Sequence, residues 1–299
     1  MTLVDRGLVL LVMAIWGFNY AFAKLGLLEL PPFSLLALRF LLVGVLAVPF
    51  ARTPRRHLPH LLALSVVFGT LHFGLVYLGL TRVDASTGAV LVQLQVPFAA
   101  LLSFLVLRER PGWLWLGGAS LAFLGAVLLL GEPRTSANRG HALLIVLSAV
   151  MWAVSYLQLK AMRKPGPLDS FSINAWMSLF SAPQLFALSL VFEHGQLRAL
   201  RTMSVTGWIS MAYQVLFVGL LAYVIWYRLI EKYPVSTTSP FTLLIPVLSS
   251  LAGLLLLGEP ITVRFVAGAS VTLAGVALLL RGSAGPANRV VPTQQRVGT

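Results

Sequence analysis

Ten apolar runs recur along the chain, at residues 7–27, 33–51, 61–81, 85–107, 112–130, 141–161, 172–192, 207–230, 234–257 and 262–281. Each is close to the ~20 residues that cross about 30 Å of hydrocarbon. In lipid every backbone N–H and C=O must find a partner inside the protein, which leaves only helices or a closed barrel. Runs this long without two-residue alternation are helical. The links are short, often four to ten residues, and leave no room for a soluble domain. With 58% hydrophobic and 10% charged residues and a mean hydropathy of +0.88, the expectation is an all-α polytopic membrane protein of ten transmembrane helices. Residues 283–299 read as a disordered cytoplasmic tail.

The ten runs are two copies of a five-run unit. AIWGFNYAFAK (14–24) aligns with VMWAVSYLQLK (150–160), so that Trp16, Tyr20 and Lys24 match Trp152, Tyr156 and Lys160, and Asn19 faces Ser155. GGASLAFLGAVLLL (117–130) aligns with AGASVTLAGVALLL (267–280), Glu109 matches Glu259, and Pro97 corresponds to Pro246. The units are expected at residues 1–135 and 136–282. Because five is odd, equivalent helices of the two units must run in opposite directions, which makes an inverted repeat. That architecture typically places a substrate site near the midplane and permits alternating access.

The net charge of +13 is a matter of topology. With the N-terminus inside, Arg6, Arg52, Arg55, Arg56, Arg108, Arg110, Lys160, Arg163, Lys164, Arg228, Lys232 and three arginines of the tail make fourteen basic residues on the inner side, against seven outside. This bias over short loops is the positive-inside pattern and predicts an inner membrane protein with both termini cytoplasmic. It is not a nucleic-acid footprint. With no cysteine there is no disulfide, thiol nucleophile or thiolate metal site, and no cofactor is expected.

All nine carboxylates fall in loops or at helix ends. A cation-selective pump with an embedded Glu, or proton coupling through Asp or Glu, would need one in mid-span. The polar residues that do lie within spans are therefore the candidates for a site. Trp16, Asn19 and Tyr20 share one helix face. Trp16 and Trp152, each with a tyrosine four residues on, suggest an aromatic wall shared by the two halves. The remaining tryptophans (Trp113, Trp115, Trp176, Trp208 and Trp226) suit an aromatic belt. His72 can donate to and accept from a substrate, or simply bond a neighbouring helix. Gln93 and Gln95 point about 200° apart on a helix, so at most one faces a cavity directly and interhelical bonding is the rival role. Pro97 and Pro246 each free a carbonyl and bend their helices. Arg39 needs carbonyls, a carboxylate or a substrate anion, and is read as structural. Gly118 and Gly268, with Gly125 and Gly275, suit close helix packing. Lys24 and Lys160 read as snorkelling side chains.

These residues carry a resemblance. W-G-x-N at Trp16 to Asn19, the duplicated ten-span layout, Arg39 in the second span and the E-P-type turns near Glu109 and Glu259 resemble the EamA family of the drug/metabolite transporter superfamily. VLVQLQVPFAALLSFLVLRER and SPFTLLIPVLSSLAGLLLLGEP are similar to segments of bacterial exporters of O-acetylserine and cysteine. The resemblance implies a basket of ten helices with a cavity formed by helices 1, 3, 4, 6, 8 and 9. It also implies substrate contacts at Trp16, Asn19, Tyr20, His72, Gln93, Gln95, Trp152, Tyr156 and Tyr213.

The expected function is export of small metabolites, most readily amino acids or derivatives resembling O-acetylserine and cysteine. A lipophilic drug or dye exporter is the alternative within transport, and a membrane sensor or structural protein the alternative outside it. An intramembrane enzyme would need a paired nucleophile and base or a metal cluster, and the spans carry neither pattern. The expected partners are a small-molecule substrate and the bilayer, with the protein a monomer or weak homo-oligomer.

Overall fold

The computed structural model describes residues 1–107, 113–131, 137–162, 168–233 and 238–283. The expectations for Glu109 and for the tail beyond Ser283 lie outside these residues. The described chain is helical, with ten long rods: α1 (Leu3–Leu27), α2 (Pro32–Phe50), α3 (Leu58–Leu80), α4 (85–107), α5 (Trp113–Leu130), α6 (Arg139–Ala161), α7 (Ser170–Phe192), α8 (205–232), α9 (239–257) and α10 (Val263–Ser283). Among the described residues nine are long and apolar enough to cross a membrane, and α5 contributes the shorter apolar stretch Leu116–Leu130.

The acidic residues explain where several helices begin. A helix start leaves backbone N–H groups without partners and carries the positive end of the helix dipole. Asp169 supplies that need locally, accepting from Ser172 N at 2.9 Å. Three other carboxylates do it for a different helix. Glu193, at the end of α7, accepts from Phe33 N at 2.7 Å and Ser34 N at 3.0 Å on α2. Glu29, after α1, accepts from Ser204 N at 3.2 Å where α8 begins. Glu259, between α9 and α10, accepts from Ala85 N at 2.7 Å and Ser86 N at 3.2 Å on α4. All three lie on the face opposite the N-terminus, called here the far face. Lys24 joins them there, which corrects the snorkelling expectation. Its Nζ donates to the Val83 carbonyl at 2.8 Å and lies 3.4 Å from Glu259. A cation with a buried carboxylate and a carbonyl in reach has no reason to extend toward water.

Packing between the halves follows the duplication. α5 lies against α10, with Gly118 beside Gly275 and Gly125 beside Gly268, so the two run antiparallel. α2 lies against α7 in the same sense, with Gly44 beside Leu179 and Ser34 beside Ser189. α1 packs on α8 and α9, while α6 packs on α3 and α4. Exchanging α1–α5 with α6–α10 turns each of these contacts into another in the set, as an inverted repeat requires. Lipid is as apolar as Leu, so it is close backbone approach and interhelical hydrogen bonds that hold such a bundle together. A Cβ on Gly125 would collide with the Thr272 backbone nitrogen and the Gly268 carbonyl.

One irregularity was not foreseen from the sequence. α3 and α8 each contain a π-helical stretch, Ser65–His72 and Tyr213–Ala222. These widened turns occupy equivalent helices and shift the side chains that follow, as π segments at functional sites commonly do. α4 is interrupted between Ala85–Val92 and Gln95–Leu107, just before Pro97. Its counterpart α9 opens with a 3-10 turn, Ser239–Leu243, ahead of Pro246.

Candidate functional site

The substrate-contact residues expected from the sequence lie on α1 (Trp16, Asn19, Tyr20), α3 (His72), α4 (Gln93, Gln95), α6 (Trp152, Tyr156) and α8 (Tyr213). Trp16 and Trp152 do not build one wall. Each anchors its own cluster, related to the other by the exchange of halves. Trp16 packs against Tyr223 and Trp226 of α8, with ring centroids 5.7 and 5.3 Å apart. Trp152 packs against Phe68 and His72 of α3 at 5.5 and 4.8 Å. Trp226 therefore does more than serve the aromatic belt, because its ring is turned edge-on to Trp16.

His72 is 2% exposed. Its Nδ1 lies 2.9 Å from the Ser148 carbonyl, an atom that can only accept, so Nδ1 carries the proton and donates. Its ring also lies parallel to Phe68, with centroids 5.1 Å apart. The imidazole bonds a neighbouring helix inside an aromatic enclosure.

The two glutamines bond different helices, α9 and α6. Gln93 Nε2 donates to the Thr242 carbonyl at 3.0 Å, in the turn that precedes Pro246 on α9. Gln95 Oε1 accepts from the Tyr156 hydroxyl at 3.0 Å. Tyr156 is 44% exposed, while both glutamines are buried. Tyr213 stacks on Phe22 at 3.9 Å and donates to the Ile15 carbonyl at 2.9 Å.

A buried polar chain runs through the far half of the bundle. Arg39, 3% exposed, donates through Nη1 to the Tyr77 hydroxyl at 2.6 Å. Tyr77 donates to Gln214 Oε1, whose Nε2 donates to Ser210 Oγ at 3.1 Å, and Ser210 donates to the Phe22 carbonyl. Asn19 and Tyr20 of α1 border Tyr77. The sequence reading missed Tyr77, Gln214 and Tyr223. Tyr77 lies one turn from the end of α3 and Gln214 inside the π stretch of α8, positions whose inward orientation depends on helix rotation. The described carboxylates Asp5, Glu29, Asp84, Asp169, Glu193 and Glu259 all stand at helix ends, and none pairs with Arg39. Among the described residues no three His, Asp or Glu gather to hold a metal.

A bundle of two antiparallel five-helix units with polar side chains at its centre has the build of a membrane transporter. The model of the EamA-like transporter family matches twice, over residues 7–131 and 140–281. The chain belongs to this family. As an EamA-like transporter it is 29% identical over 281 residues to a protein of Salmonella typhimurium named "Probable amino-acid metabolite efflux pump", covering 91% of this chain and 93% of that one. An Escherichia coli protein of the same name is 27% identical over the same shares. An "Uncharacterized transporter" of Archaeoglobus fulgidus is 30% identical, covering 91% of this chain and 96% of its own. A solved crystal structure covering 92% of the chain and 95% of its own shares the fold, with a TM-score of 0.60 at 18% identity.

Proposed function

We propose that this EamA-like transporter exports amino acids or their small derivatives across a bacterial inner membrane, with both termini cytoplasmic, by alternating access between its two halves. The observation that carries the reading is a set of aromatics, amides, one imidazole and one arginine inside the bundle, while every described carboxylate stands at a helix end. Such a set suits zwitterionic or neutral solutes. It offers no fixed negative charge for a cationic drug or a proton relay. The names of the Salmonella and Escherichia relatives agree with it. Trp16, Asn19, Tyr20, Gln95, Trp152, Tyr156 and Tyr213 line the substrate path, His72 and Gln93 hold its walls, and Pro97, Pro246, Gly118 and Gly268 shape the helices that move.

The test is efflux from proteoliposomes preloaded with O-acetylserine, cysteine, threonine, an aromatic amino acid or a cationic dye, with and without a pH gradient. Saturable release of amino acids without a gradient is the expected result. Release of the dye alone would replace this reading with drug efflux.

A further inference from the structure

The geometry points to Arg39 and Asn19 as the paired ligands of a substrate's α-carboxylate and α-ammonium, which narrows the substrate class to free zwitterionic α-amino acids. The inference rests on the exporter reading and gives a role in recognition to a residue first read as structural.

Arg39 lies seven residues into α2, in the far half of the bundle, and among the described residues its guanidinium has no carboxylate partner. A charge taken out of water costs several kcal/mol unless a counter-charge and hydrogen bonds offset it. The ring faces of Phe73 and Phe40, 5.3 and 5.6 Å away, offset part of that cost. One hydrogen bond, to Tyr77, offsets a little more. Arg39 Nε remains buried with no acceptor. A planar donor array with unused N–H groups matches a carboxylate.

The complementary vacancy is adjacent. The Asn19 amide faces the same Tyr77 hydroxyl that Arg39 donates to, while its Oδ1 is buried with no donor. One phenol oxygen therefore separates a cation lacking an acceptor from an acceptor lacking a donor. The carboxylate and ammonium of an α-amino acid are likewise joined through a single carbon and satisfy both at once. Tyr77, itself anchored by Gln214, fixes the spacing. Neither vacant atom reaches solvent in this conformation, so engagement by substrate requires a rearrangement around Tyr77.

The test uses the purified full-length protein in liposomes. Efflux of labelled L-threonine and L-phenylalanine is measured against unlabelled competitor: each free amino acid, its methyl ester, its decarboxylated amine and its deaminated acid. The wild type is expected to prefer the free amino acid over all three analogues by about tenfold or more. Arg39→Gln should abolish the preference over ester and amine, and Asn19→Leu the preference over the deaminated acid. Amino-acid efflux that ester and deaminated acid inhibit as well as the parent would overturn this inference and leave the exporter reading intact. Absence of amino-acid efflux from the wild type would overturn both. Because the analogue comparison is made on the wild type, it decides the matter even where Arg39→Gln does not fold.

Discussion

The side-chain amide of Gln93 donates to the carbonyl of Thr242 at 3.0 Å, so an amide on α4 ties down the turn that precedes Pro246 on α9. The kink in one half is thereby stabilised from the other. Gln93→Leu is expected to remove this bond between the halves, a loss of about 0.5–1.5 kcal/mol. Thermal unfolding of the purified variant should show a lower Tm. An unchanged Tm would contradict a stabilising role for this bond.

His72 donates to Ser148 from within an aromatic enclosure. His72→Gln keeps a donor and loses the titratable ring. If the imidazole acts only as a hydrogen-bonding wall residue, the variant retains transport within a few-fold and its rate shows the pH dependence of the wild type. Loss of a pH-gradient dependence present in the wild type would make His72 a proton carrier.

Gly125 meets the Thr272 backbone, and Gly118 the Gly275 carbonyl, along the α5–α10 contact. Gly125→Leu must push two backbones apart, an overpacking cost of about 1–3 kcal/mol or more. Less folded protein should elute in size-exclusion chromatography, while Gly140→Leu, where a Cβ has open space, should behave as wild type.

At the far face, Glu29 accepts from the Ser204 hydroxyl and amide, and these bonds hold its carboxyl below the ordinary glutamate range. A depressed folded value stabilises the protein above the unfolded pKa of about 4.3 and loses that contribution as pH falls through the folded value. The Tm difference between wild type and Glu29→Gln should be present at neutral pH and shrink in acid. A difference that grows in acid would contradict the assignment.

Much of the architecture was legible because membrane helices advertise their length and the duplication advertises its odd count. The glycines of α5 and α10 marked a close contact. What the sequence could not show was rotation. When a helix is apolar on every side, nothing in its pattern says which face is inward, so Trp226 read as belt and Tyr77 and Gln214 went unseen. The π stretches of α3 and α8 add a local twist that no apolar spacing encodes. Lys24 was misread for a different reason. Its partner Glu259 is 235 residues away, and only the fold brings the two together.

The most direct measurement of the central claim uses the absence of cysteine from the chain. A single Tyr156→Cys substitution places a thiol at the exposed end of the Gln95 pair, to be labelled with a membrane-impermeant maleimide from either face, with and without L-threonine. A central path with alternating access predicts reactivity from the N-terminal face that saturating L-threonine slows in proportion to transport. A thiol whose labelling is the same with or without a transported amino acid would contradict it.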